Sequence, residues 1–197
     1  MTALRLLFIA GSARSGAWSV KLRDAARALA ESAGAQTSVL DLRALALPLY
    51  DGDLEKAQGV PAGARTLRDA LLASDAVLLS TPEYNGFPTP LVINSFDWLS
   101  RLQPEDGKPS GLGTTANRPL GMLAASPGLL GGLRSLNYTK QYLSMTFAML
   151  AVPQQFALAR ANEAFDEHGA LKDAKQLAAV ENVVNALLRV AGALKTA

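Results

Sequence analysis

The chain has 197 residues, 49% apolar and 18% charged, which suits one domain with a large buried core and excludes intrinsic disorder. It has no cysteine and a single histidine, His168, so disulfide scaffolds, thiolate zinc sites, iron–sulfur clusters, thiol catalysis and a one-chain histidine cage are excluded. Nineteen Lys and Arg against seventeen Asp and Glu leave a net charge of +2, too weak and too evenly spread to point to nucleic acid.

The first apolar run, residues 6–10, follows Arg5 and imitates a short signal peptide. It is shorter than the ~7–15 apolar residues of such a segment, and no positive stretch precedes it. A buried first strand accounts for it. No run approaches the ~20 apolar residues of a membrane span, and the expected address is cytoplasmic. Further short runs of Leu, Val, Ile and Ala predict strands at 37–40, 76–80 and 120–125, with a weak fifth at 151–154. Helical spacing separates them at 19–32, 63–73, 90–101, 133–150 and 171–194. Strands apolar on both faces, alternating with helices, predict a doubly wound α/β fold around a parallel sheet. The alternation has no linker or repeat, so 1–197 reads as a single domain. Residues 103–118, rich in Gly, Pro, Ser and Thr, break the rhythm and read either as a surface insertion or as a functional loop.

In open α/β sheets, ligands bind beyond the carboxyl ends of the strands. That rule selects three loops. The first, after residue 10, offers the hydroxyls of Ser12, Ser15 and Ser19, the Arg14 guanidinium and the N–H groups of a helix start, a combination suited to a phosphate. Its spacing fits neither a dinucleotide GxGxxG turn nor a P-loop, and a plain Ser/Gly turn remains the alternative. In the second, Pro82 and Pro88 bracket Glu83, Tyr84, Asn85, Gly86 and Phe87. Two prolines stiffen it, Asn85-Gly86 favours a tight turn with positive φ, and the aromatics offer flat surface for a planar heterocycle. The third, Ser126-Pro127-Gly128 with Gly131-Gly132, sheds side chains where another surface must come close. Together they describe a pocket for a phosphorylated planar ligand, and flavin mononucleotide (FMN) fits.

These residues resemble the NAD(P)H-dependent FMN reductases of flavodoxin-like fold, relatives of quinone, chromate and azo-dye reductases. Gly11-Ser12-Ala13-Arg14, with Ser19 and Leu22, is similar to that family's GSxRxxSxNxxL phosphate loop. Pro82-Glu83-Tyr84-Asn85-Gly86, running on to Asn94, Asp97-Trp98 and Ser100-Arg101, resembles its long PEYN signature, and Ser126-Pro127-Gly128 with Gly131-Gly132 its SPGxxGG loop. The resemblance implies a five-stranded sheet of order 2-1-3-4-5. It implies FMN, its phosphate held by Ser12, Arg14 and Ser19 and its ring system by Pro82, Glu83, Tyr84, Asn85, Gly86, Ser126, Pro127 and Gly128. It implies hydride passing from NAD(P)H to the flavin and on to a quinone, free flavin, azo compound or metal oxyanion, with no catalytic side chain and no metal.

It also implies a homodimer or homotetramer, with Tyr84, Phe87 and Trp98 available near a subunit boundary. Trp98 reads equally as helix packing, and the aromatic and Met residues of 133–150 as core or dimer face. Two positions depart from the pattern: Ala17 stands where the family has a serine, and Ser19 where it has an asparagine. Each lost bond to a charged phosphate costs about 1.5–3 kcal/mol. His168, in a polar turn, reads as a solvated surface residue. A non-enzymatic flavodoxin-like electron carrier, or a flavin-poor binding or regulatory protein, is the alternative; the pI near 9.0 argues against the acidic surface of a carrier.

Overall fold

The computed structural model describes residues 3–195, so two residues at each end of the expected 1–197 domain lie outside the described residues. Five parallel strands form one sheet: β1 (Arg5–Ala10), β2 (Gln36–Asp41), β3 (Ala76–Thr81), β4 (Pro119–Ala125) and β5 (Leu150–Leu158). Their order is β2-β1-β3-β4-β5, as the resemblance implied. The central strands explain the unbroken apolar runs. Successive side chains point to opposite faces, and both faces of β3 and β4 are covered, so every residue in them is buried.

The helices are α1 (Trp18–Ser32), α2 (Gly52–Gln58), α3 (Ala62–Leu72), α4 (Pro90–Ser100), α5 (Gly111–Thr115), α6 (Leu133–Thr146) and α7 (Ala174–Lys195). On one face Leu7, Ile9, Val77 and Leu79 pack against Leu67 and Leu71 of α3, Phe96 of α4 and Leu143 of α6. On the other, Leu6, Phe8 and Leu78 meet Leu22 and Ala26 of α1 and Val183 and Leu187 of α7. α7 is long and apolar enough to cross a membrane by length and composition alone. Its Val180, Val183, Val184 and Leu187 are instead buried against the sheet, which is the reason for its apolar stripe.

Two expectations need correction, the extent of the sixth helix and the place of Trp98. The helix expected through residue 150 ends at Thr146; Ala148 takes a left-handed φ of 50°, and Leu150 already pairs with Pro119 in β5. α2 is short and has no buried residue, so it carries no apolar stripe by which to be found. The 103–118 segment, read as a surface insertion or a functional loop, joins the end of α4 to the start of β4, at the amino edge of the sheet, opposite the three loops. Glu105 pairs there with Arg65 and Arg68 of α3 at 2.9 Å each, and Lys108 with Asp69 at 2.8 Å. Trp98 is fully buried, its Nε1 donating to Pro48 O at 2.7 Å, so packing is its role and it reaches no subunit boundary.

Candidate flavin site

The first loop leaves β1 tied to its neighbours. Gly11 N donates to Ser80 O at 2.9 Å, and the buried Thr89 hydroxyl donates to Gly11 O at 2.7 Å. The same hydroxyl accepts from Val92 N at 3.3 Å and so caps α4, with Pro90 following in the first turn. One side chain thus aligns the end of β1 with the start of α4. From the other side, Arg43 Nη1 donates to Ala13 O at 3.0 Å. Within the loop, Ser12 Oγ accepts from Arg14 N at 3.2 Å, and the Arg14 guanidinium lies 4.8 Å from the centroid of the Trp18 ring.

α1 begins after Ala17, whose methyl group cannot accept a hydrogen bond, so the helix has no side-chain cap. Its first-turn N–H groups and partial positive charge face the loop. Ser19, in that first turn, is buried, and its Oγ has no hydrogen-bond partner among the described residues. A buried orphan hydroxyl beside an uncapped helix start asks for an acceptor from outside the chain.

The second loop is held from both ends. Asn85 and Gly86 take φ of 53° and 84°, and Tyr84 and Phe87 exchange backbone hydrogen bonds of 3.0 and 3.1 Å. Positive φ at both central positions is the type I′ turn that Asn-Gly favours. On the other flank, α6 grips the loop. Ser135 Oγ donates to Pro82 O at 2.9 Å, Ser135 N donates to Glu83 Oε2 at 3.3 Å, and Arg134 Nε donates to Glu83 Oε1 at 3.1 Å, joined there by its Nη2. The Arg134 hydrogen bond holds the Glu83 carboxyl below the usual range, aided by Ser135 N and against the opposing effect of burial. The carboxylate is therefore a fixed anion at a helix start, not a proton carrier.

In the third loop, Ser126 Oγ accepts from Gly128 N at 3.3 Å. Gly131 has φ of 60°, and a Cβ there would lie 2.5 Å from Ala159 N, so only glycine lets the loop pass the end of β5.

The three loops meet around a cavity of about 200 Å3. Ser12, Arg14, Ser19, Pro82, Glu83, Tyr84, Ser126 and Pro127 line it. Asn85, Gly86 and Gly128 do not reach it; they shape the turns that carry their neighbours there. Ala17, Trp18 and Ala125 also line it, and sequence reasoning did not single out the last two. It also missed Arg134, although a cation in the first turn of a helix opposes the dipole and so asks for a carboxylate partner. His168 stands in solvent on a turn away from this cavity, its side chain 83% exposed.

The family model for NADPH-dependent FMN reductases matches residues 4–163. The chain belongs to that family. It is 33% identical over 156 residues to a quinone reductase of Escherichia coli K12, covering 78% of this chain and 76% of that protein. It is 30% identical over 186 residues to an NAD(P)H-dependent FMN reductase of Pseudomonas aeruginosa, covering 93% of each. In fold it is similar to FerB, a flavoenzyme NAD(P)H:(acceptor) oxidoreductase of Paracoccus denitrificans, with a TM-score of 0.78 at 24% identity over 97% of this chain and 98% of that one. Membership makes this reductase an NAD(P)H-dependent flavin oxidoreductase with FMN as its cofactor. The lining has the chemistry that cofactor needs: hydroxyls, a guanidinium and helix N–H groups suit a phosphate, and Tyr84 and Pro127 give flat apolar surface.

Proposed function

We propose that the reductase binds FMN at this cavity, its phosphate against Ser12, Arg14 and Ser19 and its ring system between the Tyr84 loop and Ser126-Pro127-Gly128. Asn85 and Gly86 set that loop by their turn, and Glu83 anchors it to α6. The observation that carries this reading is the partnerless Ser19 hydroxyl, buried beside the uncapped start of α1. When bound, the flavin supplies the two-electron redox chemistry. The chain's own groups bind and orient it, and no side chain need act as acid or base. The electron acceptor is a small planar or oxidised molecule, such as a quinone, a free flavin, an azo compound or a metal oxyanion, that takes the place NAD(P)H leaves.

Residues 1–197 act as one flavin-binding domain in this reading, in the cytoplasm where reduced nicotinamide is supplied. Beside the site, Phe87 and Tyr138 stack with centroids 4.7 Å apart, 59% and 46% exposed, and Met145 is 76% exposed. Exposed apolar side chains so grouped favour a subunit contact, hence a homodimer or homotetramer. Of the aromatic and Met residues near α6, Tyr138 and Met145 thus serve that face while Phe147 and Met149 are core.

The test is the visible spectrum of purified protein given FMN and then NADPH without oxygen. A perturbed flavin band that bleaches is the expected result. Binding without bleaching would leave a carrier, and absence of binding would remove FMN from this cavity.

A further inference from the structure

A second cavity, of about 350 Å3, shares Ser12 and Arg14 with the flavin-phosphate end and opens toward β2. Its volume lies within the roughly 300–1,000 Å3 of small-molecule sites. Three kinds of wall converge on it. Arg14, Arg23 and Arg43 bring guanidinium groups; Val20 and Val39 bring apolar surface; Asp41 stands at the carboxyl end of β2. The positive charge is only partly answered. Arg23 gives Nε and Nη2 to Asp24 Oδ1, at 2.9 and 2.6 Å, and Arg43 gives Nη1 to Ala13 O. A guanidinium has five N–H donors, so each retains others. Neither Arg14 nor Arg43 forms an ion pair among the described residues, and Asp41 takes only the backbone N–H of Arg43, at 2.9 Å.

Cations beside an apolar wall fit a phosphate carried on a flat apolar group, and the carboxylate of Asp41 fits the hydroxyls of a sugar between them. In the dinucleotide-binding α/β folds, an acid at the end of the second strand accepts from an adenosine ribose, and an arginine near it takes a 2′-phosphate. Asp41 and Arg43 offer both groups here.

We propose that this crevice is an adenosine-phosphate subsite, with adenine on Val20 and Val39, ribose at Asp41 and phosphate at Arg23 and Arg43. It extends the flavin reading, since the shared Ser12 and Arg14 place the second phosphate next to the first. Two nucleotides carry this chemistry to the crevice: NADPH, through its 2′-phosphoadenosine, and FAD, through the adenylate that follows its flavin phosphate.

The experiment is calorimetric titration of the protein, with and without FMN, by 2′,5′-ADP and 5′-AMP, together with FAD against FMN on flavin-free protein. Arg23→Gln removes a cation, and Val39→Glu puts a carboxylate on the exposed apolar wall; neither residue lines the flavin cavity, so FMN binding reports that each variant is folded. If NADPH is the source, 2′,5′-ADP binds the FMN-loaded protein and both variants weaken it about tenfold or more, leaving FMN affinity unchanged. If FAD is the source, it binds flavin-free protein about tenfold or more tighter than FMN, and both variants erase that margin. The proposal is overturned if neither adenosine phosphate binds and FAD gains nothing over FMN. It is equally overturned if they bind and both variants leave them unaffected. Should FMN itself fail to bind, the flavin reading falls, and titration of the flavin-free protein by 2′,5′-ADP still decides the crevice.

Discussion

The Arg14 guanidinium rests on the face of the Trp18 indole, 4.8 Å from its centroid, at the mouth of the flavin cavity. The contact spends no donor of the guanidinium, so Arg14 is oriented while its N–H groups stay available for an anion. Arg14→Ala is expected to weaken FMN about tenfold or more, the cost of a charged hydrogen bond. Trp18→Ala, which removes the ring that orients Arg14, should weaken it at least roughly two- to fivefold, in line with about 0.5–1 kcal/mol for an exposed cation–π contact. Quenching of FMN fluorescence on titration measures both. Equal affinities for wild type and Arg14→Ala would remove the phosphate from this loop.

Ala17→Ser is expected to act in the opposite direction. Ala17 has φ −61° and ψ 146°, the extended geometry of a helix cap, but no oxygen to use there. A serine Oγ would accept from a first-turn N–H, adding about 1 kcal/mol of stability, and its O–H would face the phosphate. Both the melting temperature without FMN and the affinity for FMN should rise. An unchanged affinity with a raised melting temperature would separate the cap from the phosphate role.

Glu83 sets a pH dependence. Its carboxyl lies below the ordinary value of 4.5 in the folded chain, chiefly through the Arg134 hydrogen bond. A lowered folded pKa gives stability that is complete above the unfolded pKa and is lost as pH falls through the folded one. Glu83→Gln should therefore melt below wild type at pH 7, and the gap should close as pH drops beneath 4.5. Arg134 is 58% exposed, so solvent screening limits the ion pair to a few tenths up to about 1 kcal/mol. A gap constant with pH would mean that the carboxylate charge contributes nothing.

Gly131→Ala tests the third loop. The added methyl meets Ala159 N at 2.5 Å with φ already at 60°, so backbone must move. A loss of about 2 kcal/mol or more is expected, which for a chain of this size lowers the melting temperature by roughly 4–8 °C. Thermal melting followed by far-ultraviolet dichroism decides it.

The exposed face of α6 yields the last expectation. Met145→Glu, with Phe87→Ser to break the stack on Tyr138, should shift the mass measured by light scattering from oligomer to monomer. An unaltered mass would put the subunit contact elsewhere.

The sequence by itself determined the sheet and the edge at which the site lies. Strands such as 76–81 bury both faces, so their apolar runs are continuous and legible, and ligand loops in such sheets follow their carboxyl ends. Asn85-Gly86 was legible for the same local reason, because its turn depends on backbone freedom within two residues. Only the tertiary structure decided which polar groups are spent and which are left over. Glu83 and Arg134 are 51 residues apart, and the packing of α6 against β4 and β5 turns a candidate flavin contact into a fixed ion pair. Ser19 lies on a helix turn whose inward face no local pattern reveals, and burial leaves its hydroxyl without a partner. The strand order that sets β2 beside β1 brings Arg43 to Arg14 across one crevice, a charge that sequence distance had spread evenly. Hydrophobic periodicity is local and reads from the chain; the balance of donors, acceptors and charges is settled only when distant segments meet.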